Sequence, residues 1–381
     1  MKKVPISMVV DDPAPIVSVY YPLLQYLNKT ETPLTEDGRP HVEYIPTSFL
    51  NDFCDVVEKW GLKGKFSIVP NPANRGSILE GVKGVDFNEV KEWLEIAKKR
   101  LTPYYTICPE MMTHFLAIDL KTGKDLDITE SEWSQTQDRT TLKPYIKRSL
   151  EILLEAGFDV CGVTTPGSFG WSSEDEVIAS VSEAVYELTG SKNSWVFIRN
   201  LSETPAPKPW VAYDENGRTV VSFPPTTNDT TWRTMDSADT SDEYISMIAD
   251  WTITKDGKGG QIIDVLESGG YPILSTHWQG LYSNGLYTGL RALDEIARRI
   301  NEHLSDRVEW KSAKEIMEMV VADKENYPKV NYDDLIIKTI KDPRYSGKSG
   351  FSIEKLLQNP HLTWRKDFDA QVIYDRLAKE K

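Results

Sequence analysis

The sequence contains three groups of residues whose types and spacing suit acid–base or metal chemistry. The first is the pair Asp11 and Asp12, which follows the short apolar segment 6–10. Adjacent side chains at the end of a strand point in different directions, so one carboxylate can act as a base while the other binds a metal ion. The alternative is that the pair forms an N-cap or a solvated turn before Pro13.

The second group is Glu110 and His114, a carboxylate and an imidazole four residues apart. On one turn of a helix these side chains would face the same way and could bind one cation together. The same spacing is common on surface helices, where it forms an ordinary polar pair. Taken alone, it is more typical of such a pair than of a metal site.

The third group is His277, which follows the strongly apolar segment 271–276. An imidazole in this position is either a hydrogen-bonded core residue or a catalytic acid or base at the mouth of a strand. The sequence leaves these two interpretations open. The other histidines, His41, His303 and His361, lie in proline-flanked or polar segments that are typical of a surface.

Large aromatic residues lie close to these groups in the sequence. They follow predicted strands or fall within polar inserts, and they are Trp171, Trp232, Trp278 and Tyr282. Aromatic faces in such places can stack on sugar rings, but large aromatic side chains also close hydrophobic cores. Both interpretations stay open at the level of the sequence.

Alternating strand and helix patterns would position these residues. Short β-branched apolar segments predict strands at 6–10, 65–69, 104–107, 158–163, 195–198, 219–223, 271–276 and 308–310. Amphipathic segments, several ended by glycine, predict helices at 49–60, 87–101, 142–156, 174–188, 261–267, 286–304 and 314–321. This order predicts an α/β fold with a parallel sheet, open or closed into a barrel, and with chemistry at the carboxyl ends of the strands. The polar inserts 117–140 and 200–255 are predicted to form the rim of a cleft.

Composition excludes several classes of protein. A chain of 381 residues with 40% hydrophobic residues can bury a large core, so it is neither disordered nor a disulfide-stapled miniprotein. A net charge of −14 argues against nucleic acid as a partner. Three widely spaced cysteines indicate neither a zinc knuckle nor a disulfide framework.

The apolar start of the chain is too short for a signal segment or a membrane span, because acidic residues interrupt it at Asp11. We therefore expect no membrane association. The expected location is the cytoplasm, or outside the cell if a signal segment has been removed.

Charge divides the chain unevenly. Residues 323–381 carry a net charge of +2, whereas residues 1–322 carry −16. We therefore predict a domain at 1–322 and a C-terminal extension at 323–381. The extension is rich in aromatic residues, so it is expected to pack on the domain or at a contact between subunits of a homo-oligomer.

Taken in chain order, these segments resemble the polysaccharide deacetylase family, the NodB-homology carbohydrate esterases. The resemblance covers residues 4 to about 321. It consists of the Asp-Asp pair at 9–12, a Gly-x-x-Gly strand at 61–69, the metal motif at 110–114, a helix and strand at 150–158 before the Pro-containing motif at 164–168, an Asp-x-x-Trp segment at 229–232 and a closing Leu-x-x-His at 274–277.

The resemblance implies an irregular (β/α) barrel and a metal-dependent hydrolase that removes acetyl groups from an N- or O-acetylated carbohydrate. It implies a divalent cation, with zinc expected first and manganese, iron, cobalt or nickel as alternatives. The implied ligands are Asp12, Glu110 and His114. The implied base and acid are Asp11 and His277.

Five further residues are implied to act on the substrate or are its predicted contacts. The backbone near Gly167 would help to hold the oxyanion, and the other predicted substrate contacts are Trp171, Asp229, Trp232 and Trp278.

Two positions depart from the family pattern. Glu110 stands where the family has the first histidine of its metal motif, and a carboxylate is an acceptable ligand for zinc, manganese or iron. Thr164 stands where the family has an arginine that orients the base. Either Arg199 or Arg233 is predicted to substitute for it, or else the base is tuned differently.

Three other functions stay open. One is a glycosidase that uses Asp11 or Asp12 with Glu110 as its carboxylate pair. The second is a non-catalytic carbohydrate-binding protein, and the third is a metal-free hydrolase that opens cyclic amides.

Overall fold

The structure, a computed structural model, describes residues 2–171, 173–197, 208–329, 333, 337 and 369–379. The strands in these ranges are β1 (Val4–Asp11), β2 (Gly64–Ile68), β3 (Tyr105–Pro109), β4 (Leu116–Ile118), β5 (Asp125–Thr129), β6 (Gly162–Thr164), β7 (Asn193–Phe197), β8 (Trp210–Glu215), β9 (Arg218–Ser222), β10 (Ile273–His277) and β11 (Val308–Trp310).

The α-helices in the same ranges are α1 (Tyr20–Asn28), α2 (Thr47–Trp60), α3 (Phe87–Ile96), α4 (Glu130–Ser134), α5 (Arg139–Glu155), α6 (Glu174–Thr189), α7 (Asp242–Thr252), α8 (Gln261–Glu267), α9 (Trp278–Tyr282), α10 (Thr288–Leu304), α11 (Ala313–Ala322) and α12 (Ala370–Lys379). None of the helices described here is long and apolar enough to cross a membrane.

A parallel sheet places the candidate residues at the carboxyl ends of its strands. Its strand order is β10-β1-β2-β3, and β11 pairs with the first residues of β1. In this register Asp11 is the direct partner of His277. The end of β3 leads into Glu110. The strands β1, β3 and β10 therefore bring these polar residues to the same end of the sheet.

A second sheet, in the order β6-β7-β9-β8, extends from the first. Its first three strands are parallel, and β8 is antiparallel to β9. A single bridge between Glu110 and Thr164 connects the two sheets, and at the far edge the Thr226 amide donates to the Ile273 carbonyl at 3.0 Å. The α/β class with parallel strands is therefore confirmed. Within the described ranges no strand pair joins β8 to β10, so the named strands do not form a closed barrel.

Helices cover the sheet and explain why its strands are so apolar. On α2 the side chains of Phe49, Phe53 and Val57 are buried, and Gly61 ends the helix in a left-handed conformation with φ 63°. Phe53 stacks on Phe66 of β2 with ring centroids 6.0 Å apart. A strand covered in this way needs apolar residues on both faces, which is the pattern that the sequence shows.

The predicted series of strands and helices is confirmed, with most ends shifted by a few residues. Two elements differ more: α3 ends at Ile96 and continues as a π-helical turn, Ala97–Leu101, and β6 starts four residues later than predicted. The polar inserts contain elements that the sequence did not predict, namely the β4–β5 hairpin, α4, β8 and α7. Their stability depends on packing against the rest of the chain, which local patterns do not reveal.

The start of the C-terminal extension contacts β8 of the second sheet and the segment before β10. Lys324 Nζ lies 2.8 Å from Asp214 Oδ2, and the Tyr327 hydroxyl lies 2.9 Å from that of Tyr271. The boundary at 322 stays a prediction. Of the extension's other aromatic residues, Tyr374 is 37% exposed. The following lie outside the described residues: Tyr332, Tyr345, Phe351, Trp364 and Phe368.

Candidate active site

A cleft with a volume of about 670 Å³ opens at the carboxyl ends of β1, β3 and β10. Its lining includes most of the predicted site residues, together with hydroxyl and aromatic side chains from the 200–255 insert. The lining residues among those predicted are Asp11, Asp12, Glu110, His114, Gly167, Asp229, Trp232 and His277.

Asp12, Glu110 and His114 converge on one point. Each offers a ligand atom, and these atoms all lie within 4.8 Å of one another. The Nε2 atom of His114 is 2.8 Å from Asp12 Oδ1 and 3.5 Å from Glu110 Oε1. The family resemblance implied this grouping, and the role of these residues as metal ligands stays a prediction.

The backbone around this cluster differs from the prediction. Residues 110–114 were expected to form one helical turn, but they form an irregular loop after β3 in which Met111 (φ 45°) and His114 (φ 52°) are left-handed. Asp12 is also left-handed, with φ 69°. The four-residue spacing therefore brings Glu110 and His114 together through a strained loop and not through helical periodicity.

The residues fit a divalent cation. Asp12 Oδ2 accepts a hydrogen bond from Gln279 Nε2, and Glu110 Oε2 accepts one from the Asp12 amide at 2.6 Å. Asp12 Oδ1 is buried, and the polar group that faces it is the His114 imidazole, with Nε2 2.8 Å away, so two candidate ligand atoms point at each other. Two carboxylates and an imidazole are suitable ligands for such a cation.

The pKa values of these three residues also favour a bound cation. Burial alone would raise the pKa of Asp12, but His114 outweighs it and holds that pKa well below its usual range. Burial and the neighbouring charges of Asp11 and Asp12 raise the pKa of Glu110 well above its ordinary value. Burial would lower the pKa of His114, but Asp12 raises it to about 8. A bound cation would displace the protons that these groups hold.

Asp11 has a buried partner that the sequence analysis missed. Lys65, which is fully buried on β2, forms an ion pair with Asp11 Oδ1, and its Nζ also donates to Ser67 Oγ at 2.7 Å. Lys65 therefore occupies the place next to Asp11 for which Arg199 or Arg233 was predicted. Arg233 lines the cleft and lies over the ring of Trp251, with its Cζ 4.7 Å from the centroid, and within the described residues it forms no ion pair with Asp11. Of the predicted alternatives, the described residues agree with a base that is tuned differently.

Arg199 lies outside the described residues. The signal that could have identified Lys65 is a lysine inside an otherwise apolar strand, because a buried lysine requires an anionic partner.

His277 is held by Asp229. Its Nδ1 lies 2.7 Å from Asp229 Oδ2, and Asp229 Oδ1 accepts from the amides of Thr231 and Trp232. Burial would lower the pKa of His277, but the hydrogen bond with Asp229 and the charge of Asp12 raise it to about 9. Asp229 also lines the cleft, and its predicted contact with substrate stays a prediction.

The predicted aromatic contacts divide into two groups. Trp232 lines the cleft and packs edge-on against His277, with ring centroids 4.8 Å apart. Trp278 is fully buried against Phe49 and Phe53, so its ring is not accessible to a ligand and the prediction for it is corrected. Trp171 is partly buried against the main core and does not line the cleft.

Gly167 lines the cleft in a left-handed conformation with φ 50°. Tyr20, which the sequence analysis did not select, also lines it and packs against Trp232. Together Tyr20 and Trp232 form one aromatic wall of the cleft.

Comparison with known proteins gives only distant likenesses. No protein-family model matches the chain, and no curated protein matches it. Among solved structures, the chain is similar to a Mycobacterium smegmatis protein whose assignment as a polysaccharide deacetylase is provisional, at 13% identity and a TM-score of 0.49, over 86% of this chain and 94% of that one.

Two other solved structures are more distant. A 4-alpha-glucanotransferase from Thermococcus litoralis has 11% identity and a TM-score of 0.36, over 75% of this chain and 37% of that one. A lactam utilization protein from Thermus thermophilus has 12% identity and a TM-score of 0.31, over 65% and 89%.

Proposed function

We propose that this chain is a metal-dependent hydrolase that removes acetyl groups from an N- or O-acetylated carbohydrate, on an irregular barrel of the polysaccharide deacetylase type. One observation carries the proposal. Side chains from distant motifs, Asp11, Asp12, Glu110, His114 and His277, line one cleft, and three of them have ligand atoms within 4.8 Å. The order of the motifs along the chain supports the same family.

Asp12 Oδ1, Glu110 Oε1 and His114 Nε2 would hold the cation. A divalent cation there supplies a Lewis acid that polarises an acyl carbonyl and makes water a better nucleophile at neutral pH. Gln279 and the Asp12 amide hold the second oxygen of each carboxylate, which leaves the first free to bind. Zinc is the first expectation, and the second carboxylate also suits manganese, iron, cobalt or nickel.

Asp11 is suited to take the proton from the attacking water. Lys65 and Ser67 hold its Oδ1 atom, and within the described part of the chain no donor hydrogen-bonds Oδ2. Because Asp11 lines the cleft, this second oxygen is available to a water molecule. A positioned base of this kind contributes roughly 10²- to 10⁴-fold to a rate.

His277 is suited to protonate the leaving amine or alkoxide. Its pKa, raised to about 9, keeps the imidazole protonated near neutral pH, and Asp229 fixes its orientation. The aromatic wall of Tyr20 and Trp232 offers a surface on which a sugar ring can stack. The proposed substrate is therefore an acetylated carbohydrate.

The geometry argues against a glycosidase that uses Asp12 and Glu110. The two carboxylates of such an enzyme are about 5 to 9.5 Å apart. Here the ligand oxygens of Asp12 and Glu110 lie within 4.8 Å of each other and share His114. This closeness suits one cation better than a sugar between two acids.

The test is acetate release from N-acetylglucosamine oligomers and from acetylated xylan. We expect the chelator-treated protein to be inactive and zinc, manganese or cobalt to restore activity. Asp11→Asn and His277→Ala should each lose roughly 10²- to 10⁴-fold in kcat while they still bind the metal. His303→Ala is the control, because this histidine does not line the cleft and its Nε2 lies 3.0 Å from the Lys255 carbonyl.

Three results would count against the proposal. Acetate release that survives chelation would remove the metal from the reaction. Sugar binding without any turnover by the wild type would indicate a carbohydrate-binding protein. Loss of metal in Asp11→Asn would exchange the roles proposed for Asp11 and Asp12.

A further inference from the structure

A further buried carboxylate lies next to the loop of the proposed metal site. Glu130, the first residue of α4, is only 1% exposed. Its Oε1 atom accepts hydrogen bonds from the amides of Met112 (3.1 Å) and Thr113 (2.9 Å) and from the Tyr145 hydroxyl (2.6 Å). Its Oε2 atom accepts from the amide of His114 at 2.8 Å. Four donors therefore converge on one side chain.

Three of these donors are consecutive amides of the loop that carries His114. This loop has non-glycine residues in the left-handed region at Met111 and at His114 itself. Such conformations persist only where the surroundings hold them. The carboxylate of Glu130 holds this loop, because it accepts hydrogen bonds from the amides of Met112, Thr113 and His114.

The fourth donor anchors the arrangement to a long helix. Tyr145 lies on α5, is buried, and packs its ring against Trp133 with centroids 4.6 Å apart. Its hydroxyl fixes Glu130 relative to α5, so the loop is positioned from a rigid element. A buried carboxylate is costly unless its oxygens are paired, and here both oxygens are paired.

Helix α4, which begins with Glu130, also forms hydrogen bonds with a second loop of the cleft. Ser131 Oγ donates to the Pro166 carbonyl at 3.0 Å, and Ser134 Oγ accepts from the Gly170 amide at 2.8 Å. The residues around Gly167 and the loop of His114 are therefore both tied to α4. The 117–140 insert was predicted to form the rim of the cleft. Its helix α4 forms hydrogen bonds with two of the loops that surround the cleft.

Glu130 does not itself belong to the ligand cluster. Among the described residues, the group that could hold a metal ion is Asp12, Glu110 and His114. Both oxygens of Glu130 are engaged by backbone and tyrosine donors. Its contact with the ligand cluster is therefore through the backbone of the loop and not through a ligand atom.

We infer that Glu130, fixed by Tyr145, is a positioning residue that sets the backbone of residues 112–114, so that Nε2 of His114 faces Asp12 and Glu110. This inference rests on the metal site of the proposed function. Glu130, a residue of the polar insert 117–140, would thus affect metal binding, although nothing around it in the sequence indicates this role.

The test measures metal binding by the full-length protein, without any substrate. Zn²⁺ affinity is measured by calorimetry, and the absorption spectrum of bound Co²⁺ reports the ligand geometry. In Glu130→Gln an NH₂ group replaces one acceptor oxygen and opposes the loop amides, so we expect Zn²⁺ affinity to fall by about 10- to 100-fold. We expect an altered Co²⁺ spectrum and a smaller effect in Tyr145→Phe.

Two matched controls remove similar groups elsewhere. Tyr105→Phe deletes the hydroxyl of another buried tyrosine, which contacts Met8 Sδ at 3.3 Å and not the loop. Glu176→Gln neutralises another buried glutamate, which pairs with Arg139. Both should keep the wild-type Zn²⁺ affinity and Co²⁺ spectrum, even if they lower the melting temperature.

The outcomes separate this inference from the proposed function. If the wild type binds no metal, the proposed function and this inference both fail. If the wild type binds metal and Glu130→Gln melts earlier but keeps its affinity and spectrum, Glu130 is merely structural and only this inference is overturned. If Glu130→Gln does not fold, the comparison of Tyr145→Phe with Tyr105→Phe decides in the same way.

Discussion

At the scale of single residues, the cleft shows a repeated arrangement. Asp11, Asp12 and Glu110 each have one carboxylate oxygen bound by protein donors, which are Lys65 with Ser67, Gln279, and a backbone amide respectively. Fixing one oxygen removes rotational freedom from the side chain and directs the other oxygen. The donors therefore determine where each carboxylate can act.

The first residue-scale prediction concerns metal affinity and pH. The pKa of His114 is raised to about 8 and that of Glu110 is raised well above its ordinary value, so both hold protons that a cation must displace. Affinity for Zn²⁺ should therefore increase as the pH rises from 6 to 8, by up to about tenfold per pH unit for each proton displaced. His114→Ala should bind at least about tenfold more weakly.

Calorimetry in buffers with different ionisation enthalpies would measure the protons released. Affinity that is independent of pH between 6 and 8, or unchanged in His114→Ala, would contradict this assignment of ligands.

The second residue-scale prediction concerns Lys65. Lys65→Met keeps most of the volume but leaves Asp11 without its buried counterion, and Lys65→Arg restores the charge. If Asp11 is the base, Lys65→Met should lower kcat by at least about tenfold with little change in KM, because a misplaced base costs rate more than binding. Steady-state kinetics on the acetylated substrate measures both constants.

Partial recovery of kcat in Lys65→Arg would support a role for the charge. Equal kcat in Lys65→Met and the wild type would make the ion pair only a means of satisfying a buried lysine.

At the scale of elements, the close approach of β1 and β2 is needed for the Lys65–Asp11 pair. Gly64 is the register partner of Met8, and a Cβ atom added there would lie 1.7 Å from the Met8 carbonyl oxygen. Only glycine allows these two backbones to lie so close at this point. The glycine is therefore part of what positions Asp11, the proposed base.

We predict that Gly64→Ala lowers the free energy of unfolding by about 3 kcal/mol or more, because backbone atoms must move to accommodate the methyl group. Urea denaturation would measure the loss. Gly190→Ala is the control, since Gly190 ends α6 in a left-handed conformation with open space around its Cβ position. It should cost only about 1 kcal/mol. Equal losses in the two variants would show that the strands can separate at little cost.

At the scale of the whole molecule, the charges of the cleft link stability to pH. His114 and His277 have pKa values raised to about 8 and about 9 by the aspartates around them. The folded protein therefore binds these protons more tightly than the unfolded chain, whose histidines have a pKa near 6.5. This stabilisation is complete below pH 6.5 and is lost as the pH rises through 8 and 9.

We therefore predict that the melting temperature of the chelator-treated protein falls between pH 6.5 and 9. Zn²⁺ should reverse the trend, because binding strengthens as His114 loses its proton. In His277→Gln the fall should be smaller, since one of the two groups is absent. Scanning calorimetry across this range tests the sign directly, and a melting temperature that is flat or rises with pH in chelator would contradict it.

Local patterns in the sequence were sufficient to determine the α/β class, the order of most strands and helices, and the positions of Asp11, Asp12 and His277 at strand ends. These features depend on hydrophobic periodicity and on residues that are adjacent in the chain, which a single sequence displays. The spacing also identified Glu110 and His114 as a candidate pair, although residues 110–114 were expected to form a helical turn. An acidic residue and a histidine four residues apart are compatible with a helical turn and with an irregular loop.

Only the tertiary structure decided which residues support the site. Lys65 reaches Asp11 across 54 positions of sequence, Asp229 reaches His277 across 48, and Gln279 reaches Asp12 across 267. Such pairs depend on strand register and loop placement, because a shift of one residue would turn each strand side chain to the other face of the sheet. The same packing buried Trp278 under α2 and left Trp232 in the cleft beside Tyr20 and His277.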